Sequence, residues 1–440
     1  MATSPQPVRA SDPASDSASA ALDGARVVIV GGGFAGVSAA RTLAHQNVRV
    51  TIIDRHNFHT FLPLLYQVAT AGLEPADVAY PIRTIFGHAK NIRFRHGRVV
   101  RVDQDRRVVV LENDAEVPYD HLIVATGATA SFFDIPGARR YATPLYTLAD
   151  ARRLRNQLLS ALEEAEVAGE RDATPLTFVV VGGGPTGVET AGALSELIDI
   201  AIRRDGLRIN PSLVRIRLVD LAPRLLTAFP ESAGRYAKRE LERMGVDVEL
   251  GRSVVEVDAH AIRFADGEVL AAAAVIWAAG ITANGTLASG LGADVGPGGR
   301  ARVGADLRLV GSENVWSVGD AAAIPGDDGT FYPQLAPVAI QSGRHCASQI
   351  LRVEAGATSE PFHYRDKGMM ATIGRRAAVA KLPGFGVIRG TAGWLAWLGL
   401  HLWYLVGFRN RLRVMINWTW RYFDWPSGPR LIVADAETAD

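Results

Sequence analysis

Two stretches of the chain carry the same pattern of apolar and small residues. At 27–30 four β-branched residues (Val27, Val28, Ile29, Val30) run without a polar break into Gly31-x-Gly33-x-x-Gly36, and Ala35, Ala39 and Ala40 follow at helical spacing. At 178–181 Phe178 and three valines run into Gly182-x-Gly184-x-x-Gly187, followed by Val188, Glu189, Ala191, Ala193 and Leu194. Each stretch predicts a buried parallel strand, a tight turn and a helix. In each, the next apolar run ends in an acid: Val48–Ile53 before Asp54, and Ile216–Val219 before Asp220. Short strands are expected at 92–94, 99–102, 108–111, 122–125, 246–248, 254–257 and 275–277. A helix is expected over 148–168, with Leu154, Leu158, Leu159 and Leu162 on one side. The turns Ala125-Thr126-Gly127 and Ala278-Ala279-Gly280 end corresponding strands of the two halves.

This plan reads as an α/β protein with two Rossmann-like dinucleotide-binding domains. Glycines let the backbone approach a pyrophosphate, the helix N-terminus favours its charge, and the acid about 20 residues on can hold ribose hydroxyls. Recurrence of the motif implies two dinucleotides. Asp220 favours NADH, since a carboxylate repels the extra phosphate of NADPH; Arg224 nearby could soften that preference. The strand ending in Gly319-Asp320 could reach a ribose or ribityl hydroxyl, or Asp320 could instead cap a helix beginning at Ala321-Ala-Ala. The aromatic run at 55–67 reads as a loop and helix lining a cofactor, as a core-covering loop, or as both.

Composition narrows the classes. The 440 residues carry a formal net charge of +1 and no long basic run, which argues against nucleic acid as the main partner. Cys346 is the only cysteine, so no disulfide or CxxC pair can form within the chain and redox chemistry must come from a bound cofactor. No metal-ligand spacing is found. Residues 1–24, rich in Ala, Ser, Asp and Pro, read as a disordered tail rather than a signal peptide. Gly390 to Phe408 contains no Asp, Glu, Lys or Arg, and six of the eight tryptophans lie between 394 and 425, with arginines interleaved from Arg409 onward. That composition suits two helices lying in a membrane interface; a spanning helix and a dimer-forming pair are the alternatives.

The order GGGFAG, ATG, GGGPTGVE, WAAG and VWSVGD resembles the two-dinucleotide flavoprotein oxidoreductases. Within them the chain is similar to type II NADH dehydrogenases, single-subunit NADH:quinone oxidoreductases of respiratory membranes. Phe61–Thr70, Ala336–Gln341, Asp366–Gly374 and 387–425 carry this likeness. The resemblance implies an FAD domain (25–147 and 283–350) interrupted by an NADH domain (148–282). A strand segment near the flavin (351–386), membrane-anchoring helices (387–425) and a tail (426–440) would follow. It places FAD on Gly31, Gly33, Phe34, Ala35, Gly36, Asp54, Arg55, Ala125, Thr126, Gly127, Gly319 and Asp320. NADH falls to Gly182, Gly184, Thr186, Gly187, Asp220 and Gly280. Quinone (menaquinone or ubiquinone) falls to Ala336, Pro337 and Gln341, where Pro337 departs from the family's AQxxxQ. Glu189 is the candidate proton relay, against a first-turn carboxylate held by the helix dipole. Lys367 would neutralise the reduced flavin or pair with Glu189. The implied setting is peripheral, on the cytoplasmic face of the cell membrane, with a homodimer as a further expectation. A sulfide:quinone or disulfide reductase would need paired cysteines. A reductase with a protein acceptor and an NADH-sensing flavin-binding protein stay as competing readings.

Overall fold

A computed structural model describes residues 24–168, 175–204, 206–285, 287, 290–327, 329–422 and 430–433. The expected tails at 1–24 and 426–440 lie outside these residues, apart from Gly24 and 430–433. In chain order, the elements used below begin with β1 (Arg26–Val30), α1 (Phe34–Leu43), β2 (Arg49–Asp54), α2 (Leu65–Ala69), β3 (Ile92–His96) and β4 (His121–Val124). Then come α3 (Leu148–Ala168), β5 (Leu176–Val181), α4 (Pro185–Arg203), β6 (Val214–Asp220), β7 (Val246–Leu250) and β8 (Ala274–Trp277). The last are β9 (Val315–Ser317), α5 (Ala336–Glu354), β10 (Met369–Gly374), β11 (Ala377–Leu382), β12 (Gly386–Arg389), α6 (Gly390–Tyr404) and α7 (Phe408–Tyr422).

The chain forms two compact units. The first comprises Met1–Asn57, Ile82–Gly127 and Asn284–Tyr364; the second comprises Phe58–Pro81, Ala128–Ala283 and Arg365–Asp440. These cuts differ from those expected at 147 and 350 for identifiable reasons. Ala128–Ala130 pairs with Ile281–Ala283, and Thr143–Pro144 joins β8, so the stretch after Gly127 belongs with the second unit.

The first unit is built on a parallel sheet of order β9-β4-β1-β2-β3. Val27 and Ile29 of β1 face a core that includes Val37 and Leu43 of α1 and Val338, Cys346 and Ile350 of α5. Val28 and Val30 face the opposite core, with Val109, Leu111 and Val117 from a small antiparallel sheet. Burial on both faces is why the strand reads as an unbroken apolar run rather than an alternation.

The second unit repeats the order: Thr143–Pro144, then β8-β5-β6-β7, all parallel. Helix α3 buries Leu154, Leu158, Leu159 and Leu162, as its spacing predicts. An antiparallel sheet β10-β11-β12 follows. Helix α4 passes it so closely that a Cβ on Gly192 would stand 1.6 Å from the Ile373 carbonyl oxygen. The expected 351–386 strand segment in fact opens with the end of α5. Residues 387–389 are strand, and the tail helices begin at Gly390. Among the described residues no helix is long and apolar enough to cross a membrane.

Candidate active site

The two glycine turns have one geometry. Gly31 has φ +110° and Gly182 has φ +116°, a conformation glycine adopts without strain. A Cβ on Gly31 would lie 2.2 Å from the Ala125 carbonyl oxygen, and one on Gly182 would lie 2.5 Å from that of Ala278. Each first glycine thus sits against the end of the neighbouring strand, at the point where strand order reverses and α/β sheets bind ligands. A Cβ on Gly36 would stand 1.9 Å from the Gly31 carbonyl oxygen, and one on Gly187 would stand 1.8 Å from that of Gly182, so the third glycine lets the helix close on the turn. Side chains at Gly33 and Gly184 would meet nothing within 4 Å. That open shelf at a helix N-terminus is the space a pyrophosphate needs, so the residues present fit dinucleotides in both units.

The acids brace these turns. The Gly32 N–H donates to Asp54 Oδ2 (2.6 Å) and the His56 N–H to Oδ1 (2.7 Å). In the second unit the Gly183 N–H donates to Asp220 Oδ2 and the Ala222 N–H to Oδ1 (2.6 Å). Beside the ligand role their spacing suggests, these carboxylates hold Gly32 and Gly183, the residues directly after the first glycine of each turn.

The other expected residues of the first unit follow strands β2, β4 and β9 or open α5. Thr126 donates to the Asn284 carbonyl (3.1 Å), and a side chain at Gly127 would point into open space. Gly319, at φ +65°, sits against α1: its Cβ would lie 3.0 Å from that of Ala35. Asp320 follows in a short 3-10 turn, and Ala322–Ala323 is strand, so the helix-capping alternative for Asp320 fails. Arg55 is exposed, and its carbonyl accepts from His96 Nε2 (2.9 Å). Ala336, Pro337 and Gln341 open α5, partly exposed, while Val338, Ala339 and Ser342 of the same turns are buried. Proline in a first helical turn forfeits no hydrogen bond there.

The second crevice is a cavity of about 530 Å³ lined by Gly182, Asp220, Leu221, Arg252, Trp277 and Ala279, with Phe133 at its margin. Phe133 is 60% exposed and packs on Gly280, where a Cβ would lie 2.6 Å from its ring. This supplies a packing reason for the glycine at 280. Thr186 is exposed in the first turn of α4, beside Pro185.

Glu189 does not lie in that first turn, which carries no acid; it opens the second turn and is buried. The dipole alternative therefore fails. Burial pushes its carboxyl up to about 8, against the Thr372 N–H (3.2 Å to Oε1) and the Trp397 indole, which pull the other way. Lys367 is exposed, and among the described residues no ion pair joins it to Glu189. Instead Tyr66, Gln67, Thr372 and Trp394 line a small cleft with Glu189. Trp418 of α7 donates to Gln67 Oε1 (2.9 Å), and Gln67 donates to the Tyr66 hydroxyl (2.8 Å). Trp397 stacks on His401 (4.1 Å between centroids), whose imidazole burial lowers to about 4. The tail helices thus have an inner aromatic face, which the sequence reading missed. The spacing of Trp394, Trp397 and His401 was the available signal.

The profile of the pyridine nucleotide-disulphide oxidoreductases matches residues 25–343, and that of the NDH2 C-terminal domain matches 367–424. The chain is 38% identical over 427 residues to the type II NADH:quinone oxidoreductase Ndh of Mycobacterium tuberculosis, covering 94% of this chain and 91% of the relative. It is 40% identical over 411 residues to NdhA of the same organism, covering 89% and 86%. The solved structure of NDH2 from Plasmodium falciparum in complex with NADH shares the fold, with a TM-score of 0.83 at 19% identity over 92% of this chain and 99% of that one. The braced glycine turns, their order in the chain and these matches lead to one assignment: the chain belongs to the pyridine nucleotide-disulphide oxidoreductases and, among them, to the type II NADH:quinone oxidoreductases.

Proposed function

We propose that this protein oxidises NADH and passes the electrons to a membrane quinone, with FAD as its resident cofactor and without pumping protons. The observation that carries this is the repetition of one braced glycine turn in two units of a chain of this family. Bound FAD supplies hydride acceptance from NADH and two-electron delivery to the quinone. The chain's own residues bind, orient and protonate. Gly31, Gly33, Phe34, Ala35, Gly36, Asp54, Arg55, Ala125–Gly127, Gly319 and Asp320 are assigned to FAD. Gly182, Gly184, Thr186, Gly187, Asp220 and Gly280 are assigned to NADH. Ala336, Pro337 and Gln341 are assigned to quinone, and Lys367 to charge compensation from the surface.

Glu189 is assigned the proton. With its carboxyl raised to about 8 it is mostly neutral at pH 7, so it can donate to a quinone oxygen and recover its proton from solvent. Glu189→Gln should leave flavin bleaching by NADH nearly unchanged in stopped flow and slow reoxidation by a short-chain quinone roughly 10²-fold. Unchanged reoxidation removes the relay role; failure of NADH to bleach the flavin removes the function. Stability gives an independent check. A carboxyl whose folded pKa lies above its unfolded value favours the fold at low pH, and the protein loses that stability as pH rises from about 4.5 to 8. The melting temperature of the wild type should fall over that range more than that of the Gln variant.

The tail is assigned to a membrane surface, at the cytoplasmic face and with a homodimer as the competing arrangement. Trp403 (72% exposed) and Phe408 (80% exposed) project from α6 and α7, with Arg411 over the Trp403 ring (5.7 Å). Each large side chain buried in lipid contributes about 1.5–3 kcal/mol. Trp403→Ser with Phe408→Ser should therefore abolish most co-flotation with anionic vesicles while soluble-quinone turnover persists. Full flotation of the double variant would place the anchor elsewhere.

A further inference from the structure

The second crevice holds an arginine whose guanidinium is bound to three carboxylates. Arg252 lines the cavity beside Asp220, and its N–H donates to the Asp220 carbonyl (3.0 Å). It is the basic residue among the described residues lining that cavity. An arginine so placed is the usual partner for the 2′-phosphate of NADPH, because its planar fork matches phosphate oxygens. Here the fork is taken. Nη1 donates to Glu249 Oε2 (2.7 Å), and Nη2 donates to Asp266 Oδ2 (2.7 Å) and Glu268 Oε2 (3.0 Å). The guanidinium also lies 3.8 Å from the centroid of the Phe264 ring, which fixes its plane. Arg217 pairs with Glu249 and Glu268 from the neighbouring strand. Arg224, near Asp220 in sequence, donates to the carbonyls of Phe229 (2.9 Å) and Thr227 (2.7 Å).

We propose that the acidic clamp of Glu249, Asp266 and Glu268 sets nucleotide selectivity by withholding Arg252 from the 2′-phosphate position, so that NADH is accepted and NADPH refused. This rests on the reading of the crevice as the nicotinamide-nucleotide site. Two guanidiniums, Arg217 and Arg252, share the three carboxylates of the clamp, and Asp134 and Asp220 line the same cavity: two positive charges against five negative, a net of −3. A phosphate monoester brings about −1.5 to −2 more. Individually such ion pairs are weak where exposed, but together they engage both terminal nitrogens of the fork and set the sign of the local field. Selectivity then comes from repulsion of the wrong nucleotide as much as from contacts to the right one.

The test uses the flavin-loaded full chain and titration calorimetry with ADP-ribose and 2′-phospho-ADP-ribose. Asp266 and Glu268 are substantially exposed, so Asp266→Asn with Glu268→Gln keeps the fold while freeing Nη2. The double variant should bind 2′-phospho-ADP-ribose about tenfold or more tightly than the wild type, with ADP-ribose within twofold. Adding Arg252→Gln should abolish the gain. No tightening with ADP-ribose binding intact overturns the clamp, as does a gain that survives Arg252→Gln. A wild type that binds neither probe overturns the nucleotide-site reading itself and the clamp with it.

Discussion

Gly33→Ala is expected to give a folded protein that has lost most of its flavin, whereas Gly36→Ala is expected to destabilise the first unit and lower the melting temperature. The two glycines stand three residues apart in one motif, yet their surroundings are opposite. A Cβ at Gly33 meets nothing within 4 Å of protein, and the backbone there is extended at φ −75°, so alanine is accommodated. Its methyl would occupy the shelf the pyrophosphate needs. A Cβ at Gly36 would stand 1.9 Å from the Gly31 carbonyl oxygen and 3.2 Å from Ile29 Cγ2, and the first of these is backbone. Helix propensity alone favours alanine over glycine by about 1 kcal/mol. Forcing α1 off β1 costs about 3 kcal/mol, so the steric cost wins. Flavin absorbance per protein together with the melting temperature separates the two cases. Equal flavin content in Gly33→Ala and wild type would show that the shelf does not carry the pyrophosphate.

Asp77→Ala is expected to release α7 from the second unit. Asp77 lies in the helical turn Pro75–Val78 with its side chain fully buried. Oδ2 accepts from the Glu74 N–H (3.0 Å) and from Asn417 Nδ2 (3.0 Å), and the Asp77 carbonyl accepts from Asn410 Nδ2 (2.7 Å). Arg413 reaches Oδ1 at 3.4 Å. Removing one partner of a buried charged pair costs about 3–5 kcal/mol, but Arg413 is 47% exposed and can return to water, so about 2–3 kcal/mol is expected. Hydrogen exchange should rise across 408–422 while β5 and β6 stay protected. Unchanged protection of α7 would mean that the Trp418–Gln67 contact holds the helix unaided.

The strands, the helices and the glycine turns were legible because each depends on residues adjacent in the chain. Val27–Val30 is buried on both faces and reads as such; Leu154 to Leu162 fall on one side of α3 and are buried there. The long-range partners were not legible. Trp418 meets Gln67 across 351 positions and Asn417 meets Asp77 across 340, and no local pattern marks either. The same limit hid the setting of Glu189. Its place after the second glycine turn was plain, but the Thr372 N–H and the Trp397 ring that surround it come from β10 and α6. Asp54 and Asp220 were found as acids at strand ends; their bond back to Gly32 and Gly183 depends on turn geometry that spacing does not reveal. Lys367 lies close in sequence to β10, and its exposure at the surface was likewise not readable from spacing.

The sameness of the two glycine turns bears on how long each ligand stays. Turns with matching angles, matching close contacts and matching carboxylate braces offer a pyrophosphate the same grip. A cofactor that remains and a substrate that leaves at every turnover must therefore differ in what surrounds the turn. In the first unit Gly319 packs between Ala35 of α1 and Ala339 of α5. In the second the crevice is wide, and the aromatic ring at its margin, Phe133, is mostly in solvent. Residence time is written in the walls, and the duplicated motif leaves those walls free to diverge.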